Sequence, residues 1–273
     1  AVAARRAGGG SLGVAFLGKV GADERGDRCA NRLESEGLDV STLRREAGVP
    51  TGVALIVVGP EGENLIAVAP GANARLSPGD VEAEGRAIAG ARLVLAQLEV
   101  PQETIASAFR RAVKAAVKTV LNPAPAPAVE FSENLLSLTD VIVPNRVEAE
   151  ALTGLEIGSI EMARAACAVL HNSGVGEVVI TLGEEGAVFT GPEGSGHVRA
   201  PRVEVVDTTG AGDAFCGALA VGLSEGKDLA GAVRFACAAG ALCCTVEGAQ
   251  PSLPVREDIE SLLARSGAGG VTP

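Results

Sequence analysis

Asp207 and Asp213 stand six residues apart, and the Thr-Thr-Gly-Ala-Gly between them carries almost no side-chain bulk. The apolar run that follows, Ala214 to Ala220, reads as a helix packed on a core. Small residues at a helix entry let backbone N–H groups point outward and approach an anion closely. The N–H groups of Gly210, Ala211 and Gly212 are therefore candidates for an anion hole, with the Asp213 carboxylate at its rim. Phosphoryl transfer asks a protein for positioning, charge neutralisation and an acceptor for the proton of the attacking hydroxyl. Asp213 fits the acceptor's part. An Asp N-cap after a glycine turn is the other reading of the same residues.

The elements that must position these residues alternate along the chain. Strands are expected at Leu93–Leu98, Thr119–Leu121, Val141–Val143, Val178–Thr181 and Ala187–Thr190. Helices are expected at Gln102–Ala116, Val147–Leu152, Glu161–Asn172, Gly212–Glu225, Leu229–Cys243 and Arg256–Arg265. Continuous Val/Ile/Leu strands between helices imply an α/β fold with a mainly parallel central sheet covered on both faces. Upstream, Leu12–Gly18 reads as a buried strand, Gly21–Asp23 as a turn and Asp27–Glu36 as a helix ending at Gly37. Ser77-Pro78 reads as the N-cap and first residue of a helix to about Ala89. Thr51–Val58 and Asn64–Val68 read as two strands joined by a hairpin-like loop, a candidate small β lid or else a pair of sheet-edge strands. In open α/β sheets ligands bind beyond the carboxyl ends of the strands, where Glu99, Asn122, Asn145, Gly183 and Asp207 fall.

Each of these residues also has a plainer reading. Asn145 and Glu148 fit a capping box as well as an oxygen ligand set for a hard cation. Thr181-Leu182-Gly183-Glu184-Glu185-Gly186 allows close backbone approach to a nucleotide, and is also an ordinary glycine turn. Glu99 is a sugar-hydroxyl acceptor or a solvent-facing strand end, and Asp207 could simply hold its own turn. His171 and His197 have no Ser or Cys partner pattern and read as surface residues.

The 273 residues suffice for one large domain over about 1–265, with a disordered tail at 266–273 and no internal repeat. A net charge of −11 opposes a nucleic-acid footprint, and no apolar run reads as a membrane span. An acidic chain still binds ATP where backbone dipoles and metal ions outweigh the global field. Aromatic residues are only 2% of the chain, so packing on a base or sugar falls to aliphatic groups. The six cysteines lack metal-ligand spacing and read as reduced core thiols, which points to a cytoplasmic compartment. Ala1–Gly8 reads as the end of a helix, and no targeting peptide fits.

DTTGAGDAF at 207–215 resembles the signature of the ribokinase-like (PfkB) sugar kinases. TGVALIVV at 51–58, EGENLIAVAPGANARLSP at 61–78, QLEVP at 97–101, LNPAPA at 121–126, VPNRVEAEALTG at 143–154, VVITLGEEGA at 178–187 and GAQPSLP at 248–254 extend that similarity in order. The resemblance implies ATP-dependent phosphorylation of D-ribose to ribose 5-phosphate. Another pentose, a deoxyribose or a nucleoside is the alternative substrate. It implies that Asp213 is the base and a sugar contact, and that Glu99 also binds the sugar. Asn145, Thr181, Leu182, Gly183, Glu184, Glu185, Gly186 and Gly212 would contact ATP, and Glu148 would hold Mg2+ indirectly. Cys237 matches a nucleotide-contacting position, but helix packing is its simpler role. A K+ site would use Asp207, main-chain oxygens of Thr209, Cys243, Val246 and Gly248, and the Ser252 hydroxyl. The lid would form a homodimer contact. About 40 residues, with a first strand and a Gly-Gly-Lys-Gly-Ala-Asn-type sugar loop, would precede Ala1, where no leader pattern stands. The chain therefore reads as a fragment or a shortened gene product, and in the latter case a non-catalytic nucleotide-binding chain is the second expectation.

Overall fold

The computed structural model describes residues 1–10, 12–58, 64–126, 133–265 and 271–272. Helix α1 (Val2–Ala7) ends at the Gly8 cap, as its glycine predicts. Strand β1 (Gly18–Gly21) leads into α2 (Glu24–Ser35), and β2 (Leu43–Glu46) returns to pair with β1 in parallel. The strand expected at Leu12–Gly18 is thus shifted: before Gly18 there is only a bridge from Ala15 to Asp39, and Gly21 is strand rather than turn. Arg44 and Arg45 hid β2 in the sequence; their charges are absorbed by ion pairs to Glu84 and Asp27.

Strands β3 (Val53–Val58) and β4 (Asn64–Ala69) form an antiparallel ribbon outside the main sheet, in the register Val53 to Ala69. Leu55 and Val68 stand exposed on it; the connecting loop at 59–63 lies outside the described residues. The helix expected from Ser77 to Ala89 opens on a Ser77–Asp80 capping box but splits at Glu84 into α3 (Pro78–Ala83) and α4 (Gly85–Ala89). The position after the break requires glycine, because the Arg111 guanidinium crosses so close that a Cβ on Gly85 would lie 2.0 Å from it.

From here strand and helix alternate: β5 (Leu93–Ala96), α5 (Gln102–Lys114), β6 (Lys118–Leu121), α6 (Glu133–Leu136), β7 (Val141–Ile142), α7 (Arg146–Thr153), α8 (Ile160–Asn172) and β8 (Glu177–Thr181). A β-hairpin of β9 (Ala187–Gly191) and β10 (Gly194–Val198) follows, then α9 (Ala211–Ser224), α10 (Leu229–Cys243), α11 (Ala249–Ser252), α12 (Arg256–Arg265) and β11 (Val271–Thr272). Among the described residues the main sheet runs β11-β10-β9-β8-β7-β6-β5. Its β5–β8 body is parallel, and β9, β10 and β11 extend one edge antiparallel. Two expectations are corrected here. Val271–Thr272, in the tail expected to be disordered, pair with His197 and Val198, while 266–270 and 273 lie outside the described residues. His197 is not a surface residue: it is buried in β10 with Nε2 2.6 Å from the Glu185 carbonyl, whereas His171 is exposed.

Side-chain alternation along the strands builds two cores. Val120, Val141, Val179 and Phe189 face α1, α9, α10 and α12. Leu121, Ile142, Val178, Ile180 and Val188 face α5, α7 and α8. Burial of both faces is what an α/β sheet requires. Helix α9 is buried without a break from Ala214 to Gly222. Two glycines allow its neighbours in: a Cβ on Gly217 would lie 2.5 Å from the Ala3 Cβ, and one on Gly222 would lie 3.1 Å from Ala232. No helix among the described residues is long and apolar enough to cross a membrane.

This packing makes Gly217→Val a test of the α1–α9 seam. Overpacking there should cost about 1–3 kcal/mol, read as a lower urea midpoint at unchanged slope. A wild-type midpoint would mean that α1 does not pack on α9 in solution.

Candidate active site

Helix α9 starts at Gly210, whose φ of 83° lies in the left-handed region. A Cβ there would also press on Ala249 O at 3.3 Å and Cys243 Sγ at 3.6 Å, so the turn requires glycine. The three expected anion-hole amides are not equivalent. Ala211 N–H donates to Thr208 O at 3.2 Å and is turned into the loop. The N–H groups of Gly210 and Gly212, joined by that of Asp213, have no partner among the described residues. Nothing lies within 4 Å of a Cβ built on Gly212, so the helix mouth opens on free space. Asp213 is exposed in the first turn, beside the positive end of the helix.

Asp207 sits behind this mouth in a different setting. One carboxylate oxygen accepts Thr209 N–H at 2.9 Å, the other Gly248 N–H at 2.8 Å. These bonds, that from Gly248 first, hold its carboxyl below the usual range. The Cys243 thiol lies 3.1 Å from Ser252 Oγ and 3.6 Å from Thr209 O, and Ser252 Oγ donates to Ala249 O at 2.7 Å. Burial raises the Cys243 thiol, and Asp213 and Asp207 both add to the shift, so the two acids share one neighbourhood. Asp207, Thr209, Cys243, Gly248 and Ser252 therefore form one knot; Val246 is exposed and joins it through its N–H, 3.4 Å from Cys243 O. One carboxylate among several carbonyls fits a large cation that exchanges water for carbonyl oxygens. A clamp that sequence reading missed fixes the knot. Arg6 donates to Gln250 O at 3.0 Å and Leu253 O at 2.8 Å, and is itself held by Glu36 at 2.7 Å. Only the basic pair ending α1 hinted at it.

The Asn145–Glu148 capping box is present in full. Asn145 Oδ1 accepts Glu148 N–H at 2.9 Å, while Glu148 accepts Asn145 N–H at 2.8 Å and its side-chain amide at 2.9 Å. Glu148 is nonetheless 5% exposed, and burial pushes its carboxyl up. A buried acid in a crevice is more than a cap requires. The Cys216 thiol is pushed up to about 12 mainly by burial, with smaller contributions from Asp213 and Glu148. With both oxygens partly engaged, Glu148 suits a cation held through water.

Thr181 bridges to Asn145, and its N–H donates to Pro144 O at 3.0 Å. The turn at 181–186 thus stands beside the capping box, tied to it by an Arg146–Glu185 ion pair of 2.5 Å. Gly183, Glu184 and Glu185 are exposed, and Leu182 is buried, so it offers a ligand only its backbone. Gly186 has φ 91°, and a Cβ there would lie 1.9 Å from Val198 O. Cys237 is 5% exposed with Sγ 4.0 Å from Val198 O, which fits helix packing. Glu99 is exposed beyond β5. Next to it runs a link that spacing did not reveal: Gln97 donates to Asn122 Oδ1 at 3.3 Å, and Asn122 donates to Val143 O at 2.8 Å. That link laces together the ends of β5, β6 and β7.

Comparison with known proteins gives the chain a family. Residues 1–256 match the model of the pfkB family of carbohydrate kinases. The chain is 40% identical over 264 residues to a ribokinase of Haemophilus influenzae, covering 96% of this chain and 84% of that one. It is 35% identical over 251 residues to a deoxyribokinase of Salmonella typhi, covering 92% and 82%. The structure of an Arabidopsis thaliana ribokinase complexed with ribose and ATP superposes with a TM-score of 0.86 at 32% identity, covering 96% and 86%. The chain belongs to the pfkB family of carbohydrate kinases.

Proposed function

We infer that this chain phosphorylates D-ribose at its 5-hydroxyl with ATP, giving ribose 5-phosphate and ADP. The observation that carries the reading is the open glycine mouth of α9, with an exposed carboxylate in its first turn. The ribokinase relatives supply the sugar and the nucleotide. In the reaction the 5-hydroxyl oxygen bonds to the terminal phosphorus, the bond to the ADP oxygen breaks, and the hydroxyl proton passes to Asp213. The free N–H groups of Gly210 and Gly212 face charge on the transferred phosphoryl oxygens, where fixed dipoles need no reorganisation.

Nucleotide contacts fall to Asn145 and to the turn from Thr181 to Gly186, with the backbone of Leu182 and the exposed Glu184 and Glu185. Glu99 takes a sugar hydroxyl. Mg2+, held through water by Glu148, would neutralise phosphate charge. K+ would be held by Asp207, the carbonyls of Thr209, Cys243, Val246 and Gly248, and Ser252 Oγ, and would stiffen the loop before α9 without touching substrate. The β3–β4 ribbon, with Leu55 and Val68 exposed, suits a homodimer contact. All six cysteines are free thiols, which suits the cytoplasm, but only Cys167, Cys216, Cys237 and Cys243 are core thiols as expected; Cys29 is exposed and Cys244 half-buried. A second sugar, deoxyribose, is favoured by the similarity to the Salmonella typhi deoxyribokinase.

A coupled ADP assay across ribose, deoxyribose and nucleosides tests the reading; ribose should give the highest kcat/KM, and turnover of none of them would overturn it. Asp213→Asn should lower kcat by about 10²–10⁴-fold with nucleotide affinity nearly unchanged, and near wild-type turnover would remove Asp213 as the base. Potassium should raise activity more than sodium does, and Asp207→Asn should abolish the difference. Equal wild-type rates in the two salts would remove the cation site.

A further inference from the structure

Arg199 and Arg202 follow the end of β10, and Arg234 lies on α10; the three line one cavity of about 360 Å3. The rest of its wall is mainly apolar, with Val198, Pro201 and Leu263. The buried Nε of Arg234 has no hydrogen-bond partner. A buried charged donor left unpaired is costly, and in a native protein it points to a missing partner. Among the described residues no carboxylate pairs with any of the three guanidinium groups, although the chain carries a net charge of −11. Three arginines thus line one space with no acid beside them, Arg199 and Arg202 at its exposed rim and Arg234 deeper.

We propose that this cavity binds an organic phosphate monoester at a site separate from the phosphoryl-transfer crevice. The planar guanidinium fork matches phosphate oxygens two at a time. A phosphate dianion would satisfy Arg234 Nε and relieve the repulsion among the three arginines. The carbon body would lie on Val198, Pro201 and Leu263, in a space larger than bare phosphate fills. None of these residues belongs to the α9 mouth, the turn at 181–186 or the Asp207 knot. The cavity does back on that turn, because a Cβ on Gly186 would lie 1.9 Å from Val198 O and 2.6 Å from Ala200 N. The test must therefore keep the nucleotide site filled.

Phenyl phosphate is titrated calorimetrically into the full chain with a non-hydrolysable ATP analogue and Mg2+ at saturation. One equivalent should bind, more tightly than inorganic phosphate does. Arg234→Gln and the double variant Arg199→Gln/Arg202→Gln should each weaken it at least tenfold, and Arg234→Lys less so. The double variant changes exposed side chains and should melt as wild type does, which keeps the test independent of folding. Absence of binding, or unchanged affinity in the double variant, would overturn the proposal. Loss of binding when the analogue is added would make the cavity part of the nucleotide site, and equal affinity for inorganic phosphate would remove the monoester; either result overturns it.

Discussion

Burial of α9 along nearly its whole length is the constraint on which the site depends. From Ala214 to Gly222 every residue is enclosed, so only the first turn of the helix can meet a ligand. Gly217 and Gly222 let α1 and α10 close on it to backbone distance. A helix held this way cannot slide or tilt without opening the core, and its N-terminal dipole stays aimed at one place beyond the sheet. The left-handed turn at Gly210 then brings the chain into the helix and leaves N–H groups unpaired at the mouth.

Two aspartates of the same loop have been given opposite environments. Asp207 spends both oxygens on backbone N–H groups, which keeps it ionised and ties residues 207–209 to the segment at 248. Asp213 is left exposed at the helix entry. The knot around Asp207 is reinforced from a distance by Arg6, whose guanidinium satisfies two carbonyls of the α11 turn. The two acids thus differ in which of them has hydrogen-bond donors around it. The arginine cavity beyond β10 follows the same rule in reverse, with cations that lack acids.

Local pattern and tertiary context were legible to different degrees. Helices α10 and α12 fall at their expected bounds; for α10 a long apolar run starts directly after the Asp228 N-cap. The break at Glu84 and the strand at Leu43–Glu46 were not legible. The break has no local sequence signal, and β2 exists through its pairing with β1 rather than through an apolar pattern. His197 looked like a loop residue among glycines, yet pairing of β10 with β9 on one side and β11 on the other buries it.

For the site itself, residue types and spacing determined that a glycine turn with a trailing acid opens a helix, and that Glu99, Asn145 and Gly183 lie just beyond strand ends; Asp207, expected after a strand, instead ends an irregular segment that follows β10. Those are local properties: a small residue, a cap, an apolar period. Tertiary structure decided that Ala211 N–H turns inward, that Glu148 is buried, that Cys243 and Ser252 close on Thr209, and that Arg6 and Gln97 serve as ties. Each of these joins segments far apart in the chain, and a contact across such separations exists only once the sheet and its helices have been packed together.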